Sequence, residues 1–282
     1  MHAELKWLAQ RLRETAVTDI LPRWHQIRAE CKADGSLVTA TDLAVQRHLT
    51  DALATAFPDI PLLGEEMSAT EQESRIAAVD RRVWVLDPLD GTSNYACGFP
   101  GFSISLARIE QGQVVLGAIL DPVRDECFTA ARGQGAFLNG KPIHTFAPSA
   151  ALGDCLAMID FKRLPPASLA TLFRPGGFRS QRNLGSVALD WCWLASGRFQ
   201  LYLHGGQRLW DYAAGRLIAD EAGVAWRQYR QPGLRPTDGL TLEPRLAIAA
   251  ANDVLLDRWL DFVDLPRLET GCVPGLHQHD AV

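Results

Sequence analysis

The sequence predicts a protein of mixed α and β structure, with an N-terminal α+β half and a C-terminal α/β half. The first part of the chain opens with helical periodicity and continues into paired, hairpin-like strand patterns. After about residue 149, strand and helix patterns alternate without a long linker or an internal repeat. We therefore place the halves at residues 1–148 and 149–265, and we expect residues 266–282 to form a loose tail.

Two helices are predicted at the start of the chain. Leucines at positions 5, 8 and 12 recur at helical spacing and predict a helix that continues to about residue 30 despite Pro22. A second apolar stripe predicts a helix over residues 42–57. Residues 61–66, "PLLGEE", form a short apolar segment that ends in two acids, and residues 68–82 are predicted to form a polar connector.

Strand patterns fill the middle of the chain. Residues 83–95, "VWVLDPLDGTSNY", begin as a buried strand and run into a loop that contains two aspartates. Two apolar runs on either side of residues 110–113 predict a β-hairpin. Asn139-Gly140 is a typical hairpin turn and predicts a second one.

In the second half, strands are predicted at residues 153–160, 199–205 and 245–251. Helices are predicted between them at residues 186–196 and 211–222, because Gly197 and Gly223 are typical residues for ending a helix. Asn252 is a favourable N-cap for a last helix that ends near residue 263.

Composition and charge argue against a nucleic-acid-binding or membrane protein. The 282 residues carry a net charge of −5, without a basic run, and 47% of them are hydrophobic. The N-terminus does not have the pattern of a signal peptide, and no apolar run is long enough to span a bilayer. The six cysteines are scattered without a CxxC pair. We expect a cytoplasmic protein with reduced thiols.

Carboxylates are concentrated where strands end and helices begin. Asp87 and Asp90 directly follow an apolar strand, Glu65 and Glu66 follow another, and Asp211 begins a helix. Acids at a buried strand end repel one another and are costly to desolvate unless a cation pairs with them. Each group alone is also compatible with a solvated loop, a decorated turn or a helix cap. Together they predict an oxygen-ligand site that suits Mg²⁺.

Three motifs follow one another along the chain: "GEE" at residues 64–66, "DPLDGTSNY" at 87–95 and "WDYAAGRLIADEAG" at 210–223. With "LVTATD" and "GSVALDWCWLASGRF", they make residues 1–265 resemble the inositol monophosphatase superfamily of Mg²⁺-dependent, lithium-sensitive phosphatases. The resemblance implies a layered α-β-α-β-α fold, a homodimer and a small-molecule phosphate ester as substrate.

The resemblance also implies roles for individual residues. Two Mg²⁺ ions are expected, or three if an ion held beneath a mobile loop is counted, and Lys32 matches the lysine of that loop. The expected metal ligands are Glu65, Asp87, Asp90, Asp211 and the carbonyl of Leu89, joined by the hydroxyl of Thr92. Asp42 and Thr92 are expected to orient or deprotonate the attacking water, with Glu66 beside them.

Substrate contacts are expected from Gly91, Thr92, Gly185, Ser186 and His204. Gly91 lets the backbone approach an anion closely. His204 stands where inositol phosphatases carry a glutamate, so the sequence departs from the family at this position. We expect an inositol-1-phosphate-type substrate, with histidinol phosphate, adenosine 3′,5′-bisphosphate and fructose 1,6-bisphosphate as alternatives.

The residues leave two other interpretations open. A haloacid-dehalogenase-type phosphatase also places "DGT" after an apolar strand and uses an aspartate nucleophile, but its motif is one residue shorter than the spacing here. A metal-binding regulatory protein that has lost catalysis could share the fold.

Overall fold

Two large β-sheets, of seven and six strands, alternate with three layers of helices in the computed structural model of the chain. The structure describes residues 3–26, 30–31, 37–77, 81–164, 166–230 and 234–264. The predicted role of Lys32 and the predicted tail at residues 266–282 lie outside these ranges.

The first sheet has seven strands that are neighbours in sequence order. Its strands are β3 (Leu62–Gly64), β4 (Arg82–Asp90), β5 (Ser103–Glu110), β6 (Gln113–Asp121), β7 (Glu126–Ala131), β8 (Ala136–Leu138) and β9 (Lys141–Ile143). β3 and β4 are parallel and all other pairs are antiparallel. Both predicted hairpins are present, and the second turns at Asn139-Gly140.

Successive residues of β4 face opposite cores. Val83 and Val85 pack against the helices between the two sheets, whereas Trp84 and Leu86 pack against the N-terminal helices. A strand with both faces buried is apolar throughout, which explains the continuous "VWVL" run.

The N-terminal helices are α1 (Ala3–Thr15) and α2 (Ala40–Ala56), with a π-helical segment at Ala16–Ile20. The prediction of one helix to residue 30 was wrong. Regular α-helix ends at Thr15, and Glu30 lies in β1 (Glu30–Cys31), which pairs with β2 (Leu37–Val38). Residues 21–26 form turns, and Pro22 has no N–H to continue the helical ladder.

The second sheet runs in the order β11-β10-β12-β15-β13-β14. Its strands are β10 (Leu156–Asp160), β11 (Ser180–Arg182), β12 (Leu201–Gln207), β13 (Ala225–Arg230), β14 (Arg235–Pro236) and β15 (Arg245–Ala250). The predicted helices are present as α6 (Val187–Ala195), α7 (Leu209–Ala222) and α8 (Asp253–Val263), with Asn252 as the N-cap of α8.

Some elements of the structure were not predicted. The connector that was predicted to be irregular contains α3 (Ala69–Ile76), whose capping box between Ser68 and Glu71 is readable as an S-x-x-E pattern. α5 (Pro166–Leu172), β11 and the β13–β14 pair are too short or too polar to stand out in the sequence. A short helix, α4 (Thr92–Ala96), follows β4 directly after Gly91.

The layers follow from three apolar cores. One joins α1 and α2 to the seven-stranded sheet, the second encloses α6 and α7 between the two sheets, and the third packs α5 and α8 on the outer face of the second sheet. The predicted α-β-α-β-α layering is therefore confirmed. Within the described residues, no helix is both long and apolar enough to cross a membrane.

Candidate active site

A cleft of about 410 Å³ opens where β4, α4, α6 and α7 meet. Residues from both sheets and from the helices between them line it. The lining residues that the sequence had singled out are Glu65, Asp87, Leu89, Asp90, Gly91, Thr92, Gly185, Ser186, His204 and Asp211. Segments that are up to 146 positions apart in the chain thus share one cleft.

The end of β4 presents Asp87 and Asp90 to this cleft. In the pairing with β5, Asp87 lies opposite Ser105 and Asp90 lies opposite Ser103, with an irregularity between the two aspartates. The backbone N–H of Leu89 donates to Oδ1 of Asp87 at 3.0 Å, as in an Asx turn. The extra residue in β4 lets both carboxylates lie at the same end of the strand.

Gly91 joins β4 to α4 in a left-handed conformation, with a φ of 91°. A Cβ atom at this position would lie 2.7 Å from the carbonyl oxygen of Gly101. Asn94 ties the helix to its surroundings by donating to the carbonyl oxygens of Gly101 at 2.5 Å and of Leu184 at 2.6 Å. Glycine is therefore required both by the turn and by the space around it.

Helix α6 holds the Asp90 carboxylate in place. The hydroxyl of Ser186, the N-cap of α6, donates to Oδ2 of Asp90 at 2.5 Å, and the N–H of Ala188 donates to the same oxygen at 2.8 Å. A carboxylate is favourable at a helix N-terminus, where backbone N–H groups are free to bind it.

A hydrogen bond from β5 to the residue before Asp211 positions the start of α7 beside the cleft. The hydroxyl of Ser105 donates to the carbonyl oxygen of Trp210 at 3.1 Å, and Ser105 is the residue opposite Asp87. Asp211 also accepts a hydrogen bond from the N–H of Arg208 at 2.8 Å in the first turn of α7. Sequence reasoning did not identify Ser105, because a serine inside an apolar strand carries no signal of its own.

The gathered carboxylates disfavour one another's ionisation. Burial, followed by the charges of Glu65, Asp90 and Asp211, raises the pKa of Asp87 well above its ordinary value. Burial, followed by the charges of Asp90 and Glu65, does the same to the pKa of Asp211. Burial also raises the pKa of Asp90, although Ser186 donates to it. Such a cluster attracts a cation.

The side chains are gathered without forming a closed coordination sphere. Within the ranges that the structure describes, no group of three or more His, Cys, Asp or Glu side chains is arranged so that it could hold a metal ion as it stands. The chemistry of the donors therefore favours a cation more clearly than their present geometry does.

Asp42 and Thr92 are in contact at the rim of this cluster. Oγ1 of Thr92 lies 3.3 Å from Oδ1 of Asp42 and 3.0 Å from the carbonyl oxygen of Leu89. Asp42 is fixed by the N–H and the hydroxyl of Thr39, which donate to its other oxygen at 2.7 and 2.5 Å. Burial, assisted by the charge of Glu66, raises the pKa of Asp42 to about 6.

His204 lines the cleft but its ring is held by the protein. Nε2 lies 3.2 Å from Oδ2 of Asp160, and Nδ1 accepts from the N–H of Gly206 at 3.2 Å. Burial lowers the pKa of His204, so the neutral ring is favoured. Arg163 pairs with the same carboxylate of Asp160. As placed, both ring nitrogens of His204 face protein atoms, and its contact with a substrate stays a prediction.

Sequence reasoning missed Asp160, Arg163 and Asp190, all of which line the cleft. Asp190 did carry a signal, because it is the one charged residue in the otherwise apolar helix "VALDWCWLA". Asp160 and Arg163 gave none, since acids and bases are common where a strand passes into a loop.

Comparison with known proteins assigns the chain to a family. The profile described as "Inositol monophosphatase family" matches residues 4–261. The chain belongs to the inositol monophosphatase family. It is 36% identical over 198 residues to inositol monophosphatase 1 of Solanum lycopersicum, covering 68% of this chain and 72% of that protein. It is 35% identical over 206 residues to "Nus factor SuhB" of Pasteurella multocida, covering 71% and 75%.

Solved structures agree with this assignment. A Thermotoga maritima IMPase has a TM-score of 0.77 at 27% identity and covers 94% of this chain and 98% of its own. An IMPase/NADP phosphatase complexed with Mg²⁺ and phosphate has a TM-score of 0.74 at 27% identity, covering 91% and 92%. A dual specific IMPase/NADP phosphatase bound with D-inositol-1-phosphate has a TM-score of 0.73 at 27% identity, with the same coverage. The chain is a phosphatase of this family, which excludes the haloacid-dehalogenase alternative.

Proposed function

We propose that this phosphatase is a Mg²⁺-dependent phosphomonoesterase that hydrolyses a small polyol or sugar phosphate of the inositol 1-phosphate type. The observation that carries the proposal is the gathering of three carboxylates that face one cleft, of which Asp87 and Asp90 are buried and Asp211 is partly buried. Buried carboxylates that repel one another need a cation to be ionised together.

The donor set fits Mg²⁺, which prefers oxygen ligands and commonly shares them with a substrate phosphate. Glu65, Asp87, Asp90 and Asp211 would hold two ions, with the carbonyl of Leu89 and the hydroxyl of Thr92 as neutral ligands. When bound, the ions neutralise these acids and supply Lewis acidity for in-line attack of water on phosphorus. A relative of known structure is complexed with Mg²⁺ and phosphate, which supports the choice of metal.

Asp42 and Thr92 supply the proton acceptor in this proposal. With its pKa raised to about 6, Asp42 is largely ionised at neutral pH but remains close enough to that pH to accept a proton. Thr92 lies between Asp42 and the Leu89 carbonyl, so its hydroxyl can pass the proton of an attacking water toward Oδ1 of Asp42. Glu66 acts on this pair through its charge.

The phosphate is held at the β4–α4 junction. Gly91 and Thr92 line the cleft, and the backbone N–H groups at the start of α4 are free of helical partners. Gly185 and Ser186 lie across the cleft, where Ser186 already positions Asp90. His204 lines the same cleft, and we include it as a further substrate contact.

The substrate class rests on the relatives. A dual specific IMPase/NADP phosphatase is bound with D-inositol-1-phosphate, which supports a phosphorylated polyol. Histidinol phosphate, adenosine 3′,5′-bisphosphate and fructose 1,6-bisphosphate are the alternatives that the assay has to separate.

We also propose a homodimer in the cytoplasm. Light scattering that shows only monomers at micromolar concentration would contradict the dimer.

The test is phosphate release from these four esters, with and without Mg²⁺ and Li⁺. We expect release from inositol 1-phosphate that requires Mg²⁺, is inhibited by Li⁺ and stops when EDTA is added. Release that is unaffected by EDTA would contradict the metal mechanism. Faster release from another ester would change the substrate assignment and leave the chemistry in place.

A further inference from the structure

Asp190 is a buried carboxylate that lines the cleft with one oxygen unsatisfied. The residue is only 3% exposed, and Oδ1 is buried without a hydrogen bond to any described residue. The rest of α6 is apolar, so nothing in the local sequence requires an acid. An unsatisfied buried acceptor destabilises the fold, which indicates that a group absent from the protein itself satisfies it.

Asp190 lies near the end of the cleft where we propose that the phosphate binds. Ser186 binds Asp90 and is four residues before Asp190 in the same helix, where the N–H of Asp190 donates to the Ser186 carbonyl at 3.0 Å. Residues four apart lie on one face, about 5–6 Å from each other. Asp190 is therefore one turn away from the residue that fixes Asp90, and suitably placed to meet the alcohol portion of an ester.

The neighbouring polar groups of this wall contact one another, although Nε2 of His204, like Oδ1 of Asp190, makes no hydrogen bond to a described residue. Asp160 pairs with Arg163 and lies 3.2 Å from Nε2 of His204, and the other ring nitrogen of His204 accepts from Gly206. Burial, followed by the charges of Asp90 and Asp160, raises the pKa of Asp190 well above its ordinary value, although the charge of Arg163 acts in the opposite direction. A hydrogen-bond donor is favoured beside it and a second phosphate is disfavoured, although Lys162 and Arg208 line other parts of the cleft.

We propose that Asp190 is a specificity-determining residue that accepts a hydrogen bond from a hydroxyl or ammonium group on the alcohol portion of the substrate. The inference rests on the proposed phosphatase function and adds the residue that reads the substrate. In this proposal, Asp190 favours esters that carry a hydrogen-bond donor close to the ester oxygen.

The experiment compares kcat/KM for inositol 1-phosphate with kcat/KM for phenyl phosphate, whose alcohol portion carries no donor. Asp190→Leu has a similar shape without an acceptor, and we expect it to lower this ratio about 2- to 10-fold, the range for one hydrogen bond between neutral groups. Asp190→Asn keeps an oxygen acceptor and should lower the ratio less. Asp121→Asn alters a buried acid outside the cleft and should leave the ratio unchanged.

A second comparison, with histidinol phosphate in place of inositol 1-phosphate, distinguishes a hydroxyl donor from an ammonium donor. An ammonium group requires the negative charge, so Asp190→Asn should then lower the ratio as strongly as Asp190→Leu. If the wild-type protein hydrolyses these esters with Mg²⁺ and neither variant changes either ratio, the inference is wrong and the proposed function stands. If the wild-type protein hydrolyses none of these esters, the proposed function fails and the inference fails with it.

Discussion

At the scale of the residue, the carboxylates proposed as metal ligands are held where their ionised forms are unfavourable. Asp87 and Asp90 are buried, and the pKa of each is raised first by that burial. Asp42 is buried as well and has a pKa of about 6. Without a cation these residues oppose the stability of the fold, which is the trade-off expected where function requires costly groups.

Asp90→Asn should abolish turnover and make the metal-free protein more stable. The amide removes a charge from the cluster but keeps an oxygen that can accept from Ser186 and Ala188. We expect kcat to fall by roughly 10³-fold or more. Thermal unfolding in EDTA should show a higher midpoint than that of the wild-type protein. Turnover similar to that of the wild-type protein would remove Asp90 from the proposed site.

Thr92→Ala should lower kcat by about 10²-fold, the lower range for a lost acid–base group, because the hydroxyl between Asp42 and Leu89 is lost. Thr92→Ser is the matched control and should restore most of the rate. Calorimetric titration with Mg²⁺ should show a smaller change in metal affinity than in rate. Equal rates for the alanine variant and the wild-type protein would exclude Thr92 from the mechanism.

At the scale of the element, the site depends on how β4 passes into α4. The irregular pairing between Asp87 and Asp90 and the left-handed Gly91 turn the chain so that the strand end and the helix start face one cleft. Tyr95 then anchors α4, because its hydroxyl lies 3.1 Å from the Thr41 hydroxyl and donates to the Ile20 carbonyl at 3.1 Å.

Gly91→Ala tests this junction. The added Cβ meets the Gly101 carbonyl at 2.7 Å and the residue also has to keep a φ of 91°, so we expect both a lower unfolding midpoint and a large loss of activity. Gly133→Ala is the matched control, because Gly133 has a φ of 73° and a Cβ added there would meet no described atom within 4 Å. Gly133→Ala therefore has the strain of a positive φ without a close contact to the added Cβ.

Both variants should lose about 1 kcal/mol from the strained backbone, and Gly91→Ala should lose clearly more. Chemical denaturation measures the difference, and phosphate release measures activity. Equal destabilisation of the two variants, with activity retained in both, would show that the close approach at Gly91 does not matter.

At the scale of the whole molecule, the cleft lies where the first sheet meets the helices of the second half. Asp90 at the end of β4 is bound by Ser186 and Ala188 at the start of α6, and Ser105 of β5 holds the residue before Asp211. The metal ligands proposed here therefore form one group only when both parts of the chain are folded against each other.

In the absence of divalent cations, the free energy of unfolding should fall as the pH rises from about 5 to 8. An acid whose pKa is raised by folding binds its proton more tightly in the native state, so the stability it confers is lost as the pH rises through the native pKa. The shift in the pKa of Asp42 from 3.8 to about 6 is worth roughly 3 kcal/mol in total, and roughly half of that is lost between pH 5 and 8. Asp87, Asp90 and Asp211 act in the same direction.

Mg²⁺ should reverse this loss, because a ligand that binds only the native state stabilises it. We expect millimolar Mg²⁺ to raise the unfolding midpoint by several degrees at pH 8 and by less at pH 5, where protons compete for the carboxylates. NaCl at matched ionic strength is the control. The same shift with NaCl, or a larger Mg²⁺ effect at pH 5, would contradict a carboxylate site.

Features that depend on neighbouring residues could be predicted from the sequence. The apolar run of β4, the hairpin turn at Asn139-Gly140, the glycine before α4 and the cap at Asn252 were all readable, because each is fixed by backbone conformation within a few residues. The order of the motifs sufficed to identify the family.

Which groups meet, and how their charges act on one another, could be seen only in the folded chain. Packing between distant segments has three consequences at the site. Asp160 and Gly206 contact the ring nitrogens of His204, and Ser105 donates to the Trp210 carbonyl. One oxygen of Asp190 lacks a hydrogen bond to any described residue. A local pattern does not encode burial by residues a hundred positions away. Burial is nevertheless what raises the pKa of the carboxylates and makes a cation necessary, so the chemistry of the site became visible only in the folded chain.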